Sequence, residues 1–125
     1  MNIENIKFKA KSLNSGKWIE GDLIRQSNGI YIRRHKNLSV IVDASTVCQF
    51  TGLKDCKGNE IWEGDILQDV DDDYIKYVVI FGEGAFLAQK EGHYTGIPLH
   101  ECVGSLGNDV ITYAKVVGNK FDKDK

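Results

Sequence analysis

Four carboxylates, arranged as two copies of one tripeptide, are the residues best placed to do chemistry in this sequence: Glu20-Gly21-Asp22 and Glu63-Gly64-Asp65. Paired acids can divide the work of a general acid and a general base, or hold a hard cation through oxygen. Their surroundings match as well, Trp18-Ile-Glu-Gly-Asp-Leu-Ile24 against Ile61-Trp-Glu-Gly-Asp-Ile-Leu67. Neither copy has a neighbouring histidine, and catalysis would require the two to converge in one pocket. A glycine followed by an aspartate also has a structural meaning. The glycine permits a bend or bulge where a strand begins, and the aspartate fixes it by accepting from a nearby backbone N–H. That reading is favoured here, and the echo reads as two similar strand starts rather than a duplicated domain.

Other reactive groups are scattered. Asp69-Val-Asp-Asp-Asp73 is the densest anionic stretch, but it lacks the central glycine and terminal glutamate of a calcium loop and reads as a solvated hairpin turn. His35, His93 and His100 are far apart, and Cys48, Cys56 and Cys102 have no zinc-ligand spacing, so no metal or cofactor is expected. An odd number of cysteines argues against a disulfide framework and for a reducing, cytoplasmic setting. Tyr31 with Arg33, Arg34 and Lys36 could grip phosphate and stack a base, and Trp18 and Trp62 could be stacking platforms. Phe81-Gly-Glu-Gly-Ala85 leads into strand-like sequence, so it reads as a hairpin turn and not a phosphate loop.

The elements that position these groups are strands. Ile and Val total 23 residues against 13 for Ala and Leu, a balance that favours pleated, half-buried surfaces. Ile6-Lys-Phe-Lys-Ala-Lys11 alternates, with Ile6, Phe8 and Ala10 on one face and three lysines on the other. Further strands are expected over 18–26, 30–34, 38–43, 65–70, 74–81, 84–90 and 110–117, with turns at 14–17, 27–29 and 55–59. Pro98, Glu101 and the spacing of Leu99, Cys102, Val103 and Leu106 suggest one short helix near residues 98–107. The expected fold is mainly β, a small, partly open barrel-like or sandwich domain spanning residues 1–125, with 121–125 as a frayed tail. The N-terminus has no signal-peptide pattern, and no apolar run is long enough to span a bilayer.

Sixteen basic and 18 acidic residues leave a net charge of −2, which argues against a generic polyanion binder. The balance is uneven. Residues 1–62 carry 10 basic and 6 acidic side chains; residues 63–125 carry 6 and 12. Two surfaces of opposite sign would favour head-to-tail self-association.

Taken in order, Ile6-Lys-Phe-Lys-Ala10, Gln49-Phe-Thr-Gly-Leu-Lys-Asp55, Lys57-Gly-Asn-Glu-Ile-Trp-Glu-Gly-Asp-Ile-Leu67 and Val117-Gly-Asn-Lys-Phe-Asp122 resemble the YopX family of bacteriophage and prophage proteins. The resemblance implies a small β-rich phage domain with no assigned catalytic residues. Its recurrent block is Phe50, Gly52, Leu53, Lys54, Asp55, Gly58, Glu63, Gly64 and Asp65, closed by Gly118 and Asn119. Read physically, Phe50 and Leu53 would anchor a turn to the core, Lys54 and Asp55 would pair or bond locally, Gly52, Gly58 and Gly64 would supply backbone freedom, and Gly118-Asn119 would end the last strand. No proline follows Asn119, a departure from the family's usual ending. The leading expectation is a non-enzymatic phage or prophage accessory protein acting through protein contacts as a homo-oligomer in the bacterial cytoplasm. The alternatives are a nucleic-acid module using Tyr31, Arg33, Arg34 and Lys36, and a small-ligand binder or enzyme using Glu63 and Asp65.

Overall fold

A computed structural model describes residues 3–36, 38–82, 84–90, 96–99, 102–103, 108–109 and 114–122. The protein is mainly β, with two principal antiparallel sheets, neither of which closes into a barrel; the helical elements among the described residues are short 3-10 turns. The chain divides into two compact units, residues 1–50 and 51–125.

In the first unit, β1 (Phe8–Lys11), β2 (Trp18–Gln26), β3 (Gly29–His35), β4 (Leu38–Val42) and the start of β5 (Cys48–Lys54) form an antiparallel sheet in the order β4-β3-β2-β1-β5. Alternation sorts its faces. Ala10, Ile32 and Val42 are buried together, with Phe8, Ile19, Leu23, Ile30 and Val47 around them. The β1 lysines point the other way, and the Lys9 and Lys11 amines lie 4.7 and 5.4 Å from the centre of the Trp18 ring. Ile6 precedes the strand and is 41% exposed, so the inward face begins at Phe8. A bridge between Ser12 and Val42, with Asp43 N–H donating to the Lys11 carbonyl, pins the end of β1 to β4. The junction is held by Thr46, whose hydroxyl accepts from Lys11 N–H at 2.9 Å and donates to the Asp43 carbonyl at 2.7 Å.

The second unit contains the rest of β5, β6 (Glu60–Trp62), and a sheet of β7 (Asp65–Asp69), β8 (Lys76–Gly82), β9 (Ala85–Lys90), β10 (Gly96–Pro98) and β13 (Ala114–Asn119) in the order β10-β9-β8-β7-β13. A separate ladder joins β11 (Cys102–Val103) to β12 (Asn108–Asp109). Ile61, Leu67, Tyr77, Val79, Ala88, Leu99 and Ala114 form this unit's core.

Two expectations need correction. The stretch suggested as a helix near 98–107 is strand or turn wherever it is described: Gly96–Pro98 pairs with β9, Leu99 is in a turn, and Cys102–Val103 pairs with β12. Tertiary pairing overrides the local signal. A Cβ on Gly96 would lie 2.7 Å from the Leu87 Cβ, so glycine lets the two strands meet closely, and Pro98 sits on an edge strand, where a missing N–H is tolerated. Residues 100–101 and 104–107 lie outside the described residues. Phe50 and Leu53, expected to anchor a turn, lie in strand β5 instead. Thr51 sustains the strand across Gly52 (φ +85°): its hydroxyl accepts from Leu53 N–H and donates to the Ile61 carbonyl.

Candidate functional site

Two acids of the recurrent block, Asp55 and Asp65, bond to β13. Asp55 opens the turn between β5 and β6 and is buried. Its Oδ1 accepts from the N–H groups of Lys57 and Asn59, both at 2.8 Å. Its Oδ2 accepts from the Asn59 amide at 3.2 Å and from Val116 N–H at 2.8 Å. Gly58 supplies the left-handed residue (φ +88°) that the turn requires. Burial pushes the Asp55 carboxyl pKa up, but donation from Val116, Asn59 and Lys57 more than offsets this and leaves it below the ordinary value. Lys54 is exposed and takes no part in these bonds.

A second buried acid holds the end of the same strand. Asp65 Oδ2 accepts from Trp62 N–H at 2.7 Å, and Oδ1 accepts from the Asn119 amide at 3.0 Å. Asn119 also donates towards the Glu63 carbonyl at 3.5 Å and accepts from Phe121 N–H at 2.9 Å. Gly64 is buried at φ +88° between Val79 and Lys120: its N–H donates to the Val79 carbonyl and its carbonyl accepts from Lys120 N–H. A Cβ there would meet the Asn119 amide at 3.3 Å. Gly118 follows the register shift at Val117, which turns Asn119 inwards. The block is thus a pair of buried carboxylates whose oxygens are occupied by backbone and amide donors. Such an arrangement holds a strand in place.

Glu20-Gly21-Asp22 does something different. It lies inside β2, with Glu20 and Asp22 exposed. A Cβ on Gly21 would sit 2.1 Å from the Arg33 carbonyl oxygen, so the glycine answers a close backbone approach. Of the two expected strand starts, the first lies inside a strand, whereas the second is one: Glu63-Gly64 is a turn and Asp65 opens β7. In the first copy both acids face solvent, and in the second Asp65 is buried.

Tyr31, Arg33, Arg34 and Lys36 lie on β3 and the turn after it. Tyr31 is half-buried, the three cations are exposed, and the β3–β4 register shifts between Arg33 and His35. Asp22 stands opposite Arg33 across β2. Trp18 is half-buried beneath the β1 lysines and Trp62 is buried. The acidic stretch is an ordered turn: Asp69 and Asp72 cap the N–H groups of Asp71 and Tyr74, and Asp73 accepts from Gln68. Tyr74 at this turn is 97% exposed. Among the described residues, no group of three or more His, Cys, Asp or Glu side chains could hold a metal ion. Cys48 is buried and Cys56 exposed; His93, His100 and the side chains of His35 and Cys102 lie outside the described set. A cavity of about 360 Å³ is lined by Thr51, Leu53, Phe81, Gly84, Ala85 and Phe86, with no titratable side chain among them.

Sequence reading did not find the partners of the two acids. Val116 takes part through its backbone, which leaves no mark in residue type. Asn59 carried a signal in Asp55-Cys-Lys-Gly-Asn59, where the aspartate can close the turn on the N–H four residues on.

The family model described as YopX protein matches residues 1–124. The chain belongs to the YopX family. The match takes in both acid nodes and β13, so the structural block lies wholly inside the family's extent. No curated protein matches this YopX-family chain. Among the described residues, no helix is long and apolar enough to cross a membrane.

Proposed function

We propose that this YopX-family protein is a non-enzymatic phage or prophage accessory module that acts through protein contacts, assembling with copies of itself in the cytoplasm of a bacterial host. One observation carries the reading: charge is partitioned by structural unit. Residues 1–50 hold eight basic and four acidic side chains, and residues 51–125 hold eight and fourteen, giving +4 and −6. Opposite signs on separate units favour a head-to-tail contact between copies, and such contacts weaken with salt. The saturated oxygens of Asp55 and Asp65 weigh against the carboxylate-enzyme alternative. Because one family match runs through both units, we treat residues 1–125 as one functional module.

Light scattering across a wide concentration range tests this. The expected result is a mass rising above 14.0 kDa at low ionic strength and returning to it at high salt. A monomer at every concentration and salt would refute it. Exposed Arg33, Arg34 and Lys36 support a second reading, nucleic-acid contact. Binding to a labelled oligonucleotide that weakens as salt rises, and is lost in R33A/R34A/K36A, would favour it.

A further inference from the structure

A sheet ends in a strand whose outward N–H and C=O groups can pair with another chain, and β13 is such an edge. Two of its outward groups are already occupied, though not by a strand: Val116 N–H donates to Asp55 Oδ2 at 2.8 Å, and the Ala114 carbonyl accepts from Cys56 N–H at 3.4 Å. The register shift at Val117 breaks the regular spacing that a partner strand would need.

The two oxygens of Asp55 do separable jobs. Oδ1 closes the turn on Lys57 and Asn59, which is all that a connection between β5 and β6 requires. Oδ2 also accepts from the Asn59 amide, but it alone reaches a residue 61 positions away, and there it covers the edge. We propose that the Asp55–Asn59 turn guards the β13 edge against strand addition by a second copy of this chain, and that removing the guard yields an edge-paired dimer. This goes beyond the salt-sensitive assembly proposed above, because backbone pairing does not depend on net charge.

Asp55→Asn tests it. The amide oxygen can still close the turn, but an NH2 group now faces Val116 N–H, donor against donor. Sedimentation and amide hydrogen exchange are measured in 1 M NaCl, where the Debye length is about 3 Å and charge-driven association is screened. The guard predicts a D55N mass that moves from 14.0 kDa towards twice that value with concentration. Exchange at Val116 should be fast when dilute and slow when concentrated. D55N/V116P, which removes the edge N–H, should stay monomeric. A D55N protein that remains monomeric throughout, or a dimer that survives V116P, overturns the proposal. If D55N does not fold, Gly58→Ala decides. It strains the turn at φ +88° without touching Asp55, and its added Cβ meets nothing within 4 Å. Concentration-dependent dimer in G58A supports the guard, and its absence refutes it.

Discussion

Removing the amide of Asn119 should destabilise the second unit by about 2 to 3 kcal/mol, most of it from one bond. The Asn119 amide donates to Asp65 Oδ1 at 3.0 Å, and the two residues are 4% and 3% exposed. A hydrogen bond to a charged, buried acceptor contributes about 1.5–3 kcal/mol, because its loss takes a donor away from a carboxylate shielded from solvent. Asn119 also accepts from Phe121 N–H, but Phe121 is half-buried and that group can turn to water, so this second loss adds little. Asn119→Asp should be worse than Asn119→Ala. A second carboxylate about 3 Å from Asp65 would be repelled by about 5 kcal/mol at an effective dielectric of 20. Relaxation or protonation then reduces that cost. The assay is urea unfolding followed by fluorescence in a Trp18→Phe background, which leaves Trp62 as the reporter. Trp62 N–H bonds to the same carboxylate, so its signal follows the node directly. The reasoning fails if N119A shifts the midpoint by less than about 0.5 kcal/mol at unchanged slope, or if N119D proves the milder variant.

Two further outcomes follow from steric and charge arguments. Gly21→Ala brings a Cβ against the Arg33 carbonyl oxygen, which no rotamer can relieve; amide exchange should show β2–β3 pairing lost in residues 18–35, while Gly118→Ala, with open space and no positive φ, leaves it intact. The folded-state pKa of Asp55 lies below its ordinary 3.8, so its ionised form stabilises the fold above that pH and the contribution is lost as pH falls through the lower folded value. Acid titration should therefore show a shallower fall in stability below about pH 4 for Asp55→Ala than for the unchanged protein.

Much of the strand pattern was legible because burial imposes a period of two. Trp18–Gln26 forms over its expected range, and Ser27-Asn28 makes the tight turn into Gly29 that residue type suggested. Ala10 is buried on the face that alternation assigned. β5 was missed because Thr51-Gly52 reads locally as a break, whereas the Thr51 hydroxyl bonds bridge it. The stretch after Pro98 misled because helix and strand both accept its local residues, and pairing with β9 decides. At the candidate site, sequence supplied the two acids and the glycines beside them. It could not supply their partners, since Val116 N–H lies 61 residues from Asp55 and the Asn119 amide 54 from Asp65.

Those separations also set an order of events during synthesis. The β2–β3–β4 meander pairs neighbours along the chain and can form as soon as residue 42 is clear of the ribosome. The second unit must wait. Until Val116 and then Asn119 have been made, Asp55 has no β13 N–H to hold and Asp65 no amide to receive, although all of β7, β8 and β9 already exist. A chain broken off before Val116 carries two acids committed to burial without their partners on β13. It should be recognised as unfinished and degraded rather than accumulate as a working fragment.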